Sequence, residues 1–219
     1  MDPEFENYLL MRQAEGPAKY ALERRQWKEG LALQPVAGAP PDVQLVTYWG
    51  RAVAAGHLQD AAAAEDALKH YDELLEATRK GPRPYIVSGL KNEHQLVQAW
   101  AAYAAGNSND AVRLMRVVAD DQDKVGKAET ELPAREMLAD MLLGLQRPQE
   151  ALTEYEISLR IDPNRFNSLY GAAQAATQVG QKEKASTYYT QLLKNCERVR
   201  SDRPELAQAK TLLDSSSGM

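Results

Sequence analysis

A 34-residue period limits what this chain can fold into more than any other feature of the sequence. Three residues recur 34 positions later (185 − 151): Ala151, Tyr155 and Leu159 return as Ala185, Tyr189 and Leu193. Ala139 and Ala173 obey the same shift. A unit this short cannot bury its apolar face alone, so neighbouring copies must stack on one another. The period therefore predicts a solenoid of repeated helical units.

The repeat resembles the tetratricopeptide repeat, which places small residues where two helices cross and an aromatic residue on the second helix. Ala139 and Ala173 take the small position of the first helix, Ala151 and Ala185 that of the second, Tyr155 and Tyr189 the aromatic one, and Pro163 the closing proline. The match covers residues 132–199. The resemblance implies an all-α, right-handed α-solenoid of antiparallel helix pairs.

Residues 112–213 are also similar to a group of bacterial tetratricopeptide proteins without an assigned activity. The segments that carry this resemblance are LMRVVADDQDK, LPAREMLADMLL, ALTEYEISLRIDPNRFNSLYGAA and DRPELAQA. In that group the loop before LPARE holds an insert containing His-Pro, whereas this chain has VGKAETE. The resemblance implies a bacterial origin and the fold, and it adds no reaction.

Two weaker copies are predicted upstream. In the nearer one Ala99 and Ala111 take the small positions, Gly106 the turn, and Met115 replaces the aromatic. In the earlier one Gly56 is expected at the turn and Ala61 at the small position of the second helix. Trp49 then stands where a small residue is expected, so this unit is predicted to pack differently.

The predicted organisation is a single α-solenoid domain over residues 6–214. A helical pair split at Gly16-Pro17 precedes the repeats, and a helix with one apolar stripe caps the C-terminal end. The predicted parts are 6–33 (helical pair), 42–78 (divergent unit), 92–125, 132–165 and 166–199 (tetratricopeptide units), and 202–214 (cap). Residues 1–5, MDPEF, resemble a cloning-vector scar, so the natural N-terminus is expected to be absent.

Composition excludes several classes of function. The net charge of −5 lacks the basic excess that phosphate binding requires, which argues against a nucleic-acid partner. No apolar run approaches the length of about 18 residues that spans a bilayer. The single cysteine, Cys196, cannot form an internal disulfide and leaves the compartment open between cytoplasm and periplasm.

No catalytic or metal-binding constellation is found in the sequence. The three histidines, His57, His70 and His94, lack the spacing of a helical metal site, and the DDQD segment at 120–123 lacks the glycine and glutamate of a calcium loop. Nucleotide-binding and nucleophile-elbow motifs are missing too. The sequence therefore predicts a non-enzymatic protein without a cofactor.

The first helices of the repeats are expected to line a concave groove. Their inward positions are the second, fifth, ninth and twelfth of each unit. The predicted groove residues are Leu96, Trp100, Tyr103, Glu136, Asp140, Asn167, Tyr170 and Gln174. Aromatic anchors beside carboxylates suit an extended peptide with apolar and basic side chains.

Structural roles compete with this interpretation. The aromatic residues could instead pack between repeats, and Glu136 could form an ion pair with Arg135 or Arg165. Tetratricopeptide domains that clamp a C-terminal carboxylate use Lys, Arg and Asn at the inward positions. Only Asn167 matches here, which disfavours that kind of partner.

The predicted function is a protein–protein interaction module, a scaffold or adaptor that binds a protein or peptide partner. One alternative is self-association into a homo-oligomer, through residues 6–33, which include Trp27, or through the groove itself. A second is a helical regulatory fragment of a larger bacterial enzyme.

Overall fold

The computed structural model describes residues 3–125 and 132–217. These residues form eleven α-helices and one 3-10 helix, and no strand occurs among them. The chain divides into two compact units, Met1–Asp121 and Gln122–Met219. Whether residues 6–214 act as one domain stays a prediction. None of the described helices combines the length and apolar character needed to cross a bilayer.

The first unit is built around helix α3. Its helices are α1 (Pro3–Glu23), α2 (Trp27–Leu31), α3 (Pro41–Leu58), α4 (Ala61–Lys80), α5 (Lys91–Ala104) and most of α6 (Ser108–Val125), with a 3-10 helix at Pro84–Leu90. Helix α3 contacts α1, α2, α4 and α5. Its run of small residues, Ala52 to Gly56, is buried, so neighbouring helices can approach its backbone closely.

The second unit contains the regular repeats. Its helices are α7 (Ala134–Gly144), α8 (Pro148–Ile161), α9 (Phe166–Gln178), α10 (Lys182–Asn195) and α11 (Pro204–Ser217). Helix α8 packs on both α7 and α9. Helices α8 and α10 begin and end 34 residues apart (182 − 148 and 195 − 161). Helix α11 takes the place of the predicted cap and buries Ala209.

A left-handed residue ends the turn before each second helix of a pair. Gly106 and Gly180 have φ of 79° and 78°, and Gln59 and Gln146 have φ of 56° and 58°. Each lies two residues before the helix that follows. Glycine adopts this conformation without strain, whereas glutamine does so at a cost. After Gln59, Asp60 caps α4 by accepting a hydrogen bond from the backbone N–H of Ala63 at 3.0 Å.

The register predicted for the earliest unit is wrong by three residues. Gly56 lies inside α3 rather than at the turn, and the turn is formed by Gln59 and Asp60. In the other pairs the small residue of the second helix follows the helix start by three positions, which assigns that role to Ala64 instead of Ala61. The small position of the first helix is then Ala52 instead of Trp49, and both Ala52 and Ala64 are fully buried. This unit therefore packs as the others do.

The Gly16-Pro17 break is also wrong, because α1 continues through Pro17. Both residues are exposed, so the carbonyl group that loses its hydrogen bond to the proline can face water. Between α4 and α5 a 3-10 helix begins at Pro84. Most of the predicted VGKAETE loop lies outside the described residues.

Candidate functional site

In the first unit the three predicted groove residues are buried. Leu96, Trp100 and Tyr103 are 4%, 0% and 8% exposed. The Trp100 ring lies against Gly56 of α3, where an added Cβ would overlap the ring. Tyr103 meets Trp100 edge-on, with ring centroids 5.6 Å apart. These contacts are the packing alternative that the sequence left open.

His57 lies between two tryptophans. Its ring stacks on Trp27 with centroids 3.8 Å apart and meets Trp100 at 4.5 Å. Burial lowers the pKa of His57 well below its usual value, and the charge of Arg25 lowers it further. The stack joins α2 and α5 to α3, so His57 acts here as a neutral packing residue. Trp27, expected on a self-association surface, is half-buried in this contact.

The other two histidines also stack on aromatic rings, His70 on Tyr48 and His94 on Tyr71. The Tyr71 hydroxyl donates to Glu93 at 2.8 Å, and burial together with Glu93 raises the pKa of Tyr71. Across residues 3–125 and 132–217 no group of His, Cys, Asp and Glu side chains could hold a metal ion.

In the second unit the Glu136 carboxylate binds other side chains of the protein. Arg165 donates two hydrogen bonds to its carboxylate, at 2.8 and 2.9 Å, and the Ser168 hydroxyl donates a third at 2.5 Å. The predicted alternative of an Arg165 ion pair is therefore observed. Arg135, the other suggested partner, instead binds Glu154 at 3.0 Å and Asp123 at 2.6 Å.

Asp140 has a similar structural use, because its carboxylate accepts a hydrogen bond from the Tyr155 hydroxyl. Tyr155 is the repeat aromatic of α8, and its ring fills the space beside Gly171 of α9. The contact fixes α7, α8 and α9 to one another. Asp140 itself remains partly exposed.

The remaining predicted residues lie on α9, and two of them contact α11 or the arginine that precedes it. Arg203 donates to the Asn167 side-chain oxygen at 2.7 Å and lies over the Phe166 ring at 3.6 Å. The Tyr170 hydroxyl donates to Gln208 of α11 and accepts from Gln174 at 3.1 Å. Asn167 and Tyr170 are 3% and 6% exposed, so they serve mainly to hold the cap.

Arg165 and Arg203 play equivalent parts, which the sequence analysis missed. Each stands directly before a helix, α9 or α11, and each reaches back to the preceding first helix. A signal existed in the sequence, since an arginine precedes both helices. The partners, Glu136 and Asn167, lie 29 (165 − 136) and 36 (203 − 167) residues earlier, a separation that no local pattern reveals.

Of the eight predicted residues, only Asp140 and Gln174 are partly exposed; the other six are buried. Thr177, the next inward position of α9, is exposed. The accessible part of this face in the second unit is therefore small and polar. It can donate and accept hydrogen bonds, and it carries a carboxylate.

Surface cavities of the second unit lie beside α8, α10 and α11, where the sequence predicted no site. One of about 850 Å³ lies between the end of α10 and α11. One of about 540 Å³ is lined by Glu156 and Tyr188, and one of about 560 Å³ by polar side chains around Asn164. Tyr188 donates to Glu156 at 2.9 Å, and burial together with this hydrogen bond raises the pKa of Tyr188.

No protein-family model and no curated protein match the chain. Solved structures do. A candidate kinesin light chain from Podosopora anserina, with nearly identical TPR-like repeats, matches at 19% identity and TM-score 0.51 over 92% of this chain and 100% of that chain. A variant of that protein matches at 18% identity and TM-score 0.51, over 90% of this chain and 97% of that one. MamA from AMB-1 gives 17% identity and TM-score 0.45 over 94% of this chain and 98% of that one. The chain thus has the fold of the TPR-like repeat proteins, an all-α solenoid of helix pairs.

Proposed function

We propose that this chain is a non-catalytic protein-interaction module that binds an extended segment of a partner along the first helices of its pairs. The observation that supports this most directly is the repeated helix pair of the second unit, in which α7 and α9 carry Asp140, Gln174 and Thr177 at accessible inward positions. Stacked helix pairs of this kind form extended binding surfaces.

The contacts refine the chemistry of the proposed partner. Glu136 is neutralised by Arg165, so the attraction for a basic side chain rests on Asp140. Gln174 and Thr177 can hydrogen-bond the backbone of an extended segment. The buried inward positions shape the binding face and contribute little direct contact area to a partner. They are Leu96, Trp100, Tyr103, Asn167 and Tyr170. An affinity in the micromolar range, about −8 kcal/mol, fits a segment that is ordered on binding.

Peptide display followed by NMR mapping tests this proposal. Peptides selected on the immobilised protein are titrated into ¹⁵N-labelled protein, and we expect the largest amide shifts at Asp140, Gln174 and Thr177. The variant Gln174→Arg with Thr177→Arg removes binding, whereas Lys184→Glu on α10 leaves it unchanged. Selected peptides that shift only α8 and α10 amides would contradict the proposed face.

Self-association is a second candidate, favoured by one observation. Helix α1 exposes large apolar side chains: Phe5, Tyr8, Leu9 and Tyr20 are 53%, 53%, 45% and 61% exposed. Exposed apolar patches of this kind mark association surfaces. Sedimentation velocity across a hundredfold concentration range decides the matter. A dimer that dissociates in Tyr8→Glu with Leu9→Glu supports self-association, and a monomer at all concentrations contradicts it.

A further inference from the structure

The cavity between α10 and α11 differs in character from the α7 and α9 face. We call it the α10–α11 cleft. Its lining comes from the last turns of α10, the connecting segment and the first turns of α11. The lining residues that matter for binding are Leu193, Lys194, Val199, Leu206 and Lys210. Its volume of about 850 Å³ accommodates several side chains of a bound segment.

The cleft exposes apolar surface. Val199 is 60% exposed, and Leu193 on α10 and Leu206 on α11 are half-buried. Pro204 and Ala207 extend this surface along α11. Covering it with an apolar side chain removes that area from water, which favours binding.

Two lysines stand at the cleft with no acidic partner among the described residues. Lys194 and Lys210 are exposed, and within the described part of the chain neither forms an ion pair or a side-chain hydrogen bond. Lys184 on the same helix as Lys194, by contrast, binds Glu156 at 2.8 Å. The aliphatic stems of lysines can cover apolar surface while their ammonium groups reach outward to an anion.

The charge of the cleft is opposite to that of the protein. Its lining contains three basic residues, Lys194, Arg203 and Lys210, and two acidic ones, Glu197 and Asp202. Arg203 is held by Glu205 at 3.1 Å, and Glu197 lies 3.8 Å from Arg198, which lowers the local effect of both. With Asp202 counted against the two lysines, one positive charge remains at the cleft, on a chain whose net charge is −5.

We propose that the α10–α11 cleft is a docking site for a short acidic protein segment that carries an apolar side chain. The apolar side chain rests on Val199, Leu193 and Leu206, and carboxylates flanking it meet Lys194 and Lys210. Two lysines beside an apolar surface do not suit a nucleic acid, which needs many cations along its backbone. This site goes beyond the proposed function, since it uses the second helix of a pair and the cap instead of the α7 and α9 face.

A designed peptide tests the site directly. The probe is an amidated hexapeptide that alternates Asp and Leu, titrated at low salt into the ¹⁵N-labelled full chain. Its counterpart with Lys in place of Asp is the charge control. We expect the Asp-Leu peptide alone to shift the amides of Leu193, Val199, Leu206 and Ala207. Equal binding of both peptides, or no shift at these amides, overturns the proposal.

Matched variants locate the interaction. Lys194→Glu and Lys210→Glu are each expected to weaken the peptide at least tenfold, and Val199→Ser severalfold. Lys182→Glu changes the charge equally but lies at the start of α10, away from the cleft, and should have less than a twofold effect. If Lys182→Glu and Lys194→Glu lost equal affinity for the peptide, net charge alone would explain the effect and the site would be refuted.

Two further outcomes separate the cleft from other surfaces. The variant Gln174→Arg with Thr177→Arg, which tests the α7 and α9 face, should bind the Asp-Leu peptide normally, so that the two proposals can fail independently. If sedimentation shows a dimer that is lost in Lys194→Glu and displaced by the peptide, the cleft holds a second copy of this chain. That result would overturn an acidic partner segment as its occupant.

Discussion

Arg165 donates two parallel hydrogen bonds to the carboxylate of Glu136, at 2.8 and 2.9 Å, and the pair is nearly buried. The arginine stands just before α9 and the glutamate lies on α7, so the pair ties consecutive first helices together. The bidentate geometry of guanidinium and carboxylate fixes direction as well as distance. A residue expected to face a partner therefore stabilises the repeat stack instead.

Breaking this pair from one side should cost more than removing it altogether. Arg165→Met leaves the Glu136 carboxylate buried without its counter-charge, and we expect a loss of about 3–5 kcal/mol in the free energy of unfolding. Adding Glu136→Gln restores most of that loss, because a neutral amide still accepts from Ser168. Urea unfolding followed by circular dichroism measures both variants.

The control for this cycle is Arg147→Met. Its pair with Glu150 at 2.7 Å is exposed, so we expect a loss of no more than about 1 kcal/mol. A double variant as unstable as Arg165→Met alone would mean that packing, and not the buried charge, sets the cost.

The sequence predicts the helix pairs of this fold well because a repeat period can be read directly from the residues. The 34-residue shift aligns α8 with α10, and the small and aromatic positions at Ala151, Tyr155, Ala185 and Tyr189 are all buried as the repeat requires. The small residues carry this information, because only they allow the helices to cross closely.

The register of the earliest pair was predicted wrongly because small residues are too frequent there to mark one crossing position. Alanines occupy Ala52, Ala54 and Ala55 in α3 and each position from Ala61 to Ala64 in α4, so several registers place a small residue at the crossing. The turn was predicted at Gly56 because glycine favours the left-handed conformation, yet Gln59 adopts that conformation. Gly56 is needed instead as space for Trp100.

The predicted groove could not be settled from sequence because exposure of an inward position depends on what the following helix brings to it. Helix α11 supplies Gln208 to Tyr170, and Arg203 beside its start supplies a donor to Asn167. These partners lie 38 (208 − 170) and 36 (203 − 167) residues away in the chain. The periodic pattern identifies the position of a residue on its helix, but not the neighbour that covers it.

Substitution of Gly171 should reveal how closely α9 packs against Tyr155. A Cβ at this position would overlap the ring of Tyr155, which is fully buried. We expect Gly171→Ala to lower the free energy of unfolding by about 1–3 kcal/mol through overpacking. Gly89→Ala, where no described atom lies within 4 Å of the added Cβ, should be neutral or slightly stabilising. Equal urea midpoints for the two variants would show that Tyr155 can move aside.

Trp100 should behave as a core residue when it is truncated. The side chain is fully buried, and its indole N–H has no hydrogen-bond partner among the described residues, which already costs stability. We expect Trp100→Ala to lose about 3–5 kcal/mol. Gln174→Ala, at a partly exposed position, should change stability by less than about 0.5 kcal/mol. Thermal unfolding that leaves Trp100→Ala near wild type would return this residue to the list of binding candidates.

His57 should make the first unit sensitive to acid. Burial and Arg25 lower the folded-state pKa of His57, so below its unfolded pKa of about 6.5 the unfolded chain takes up a proton that the folded chain does not. Stability is therefore complete above a pH of about 6.5 and falls as the pH drops, by about 1 kcal/mol between about pH 7.5 and 5.5. All three tryptophans, Trp27, Trp49 and Trp100, lie in the first unit, so tryptophan fluorescence during urea unfolding reports on that unit. The difference in pH dependence between wild type and His57→Phe isolates the contribution of this side chain, and parallel curves for the two proteins would contradict it.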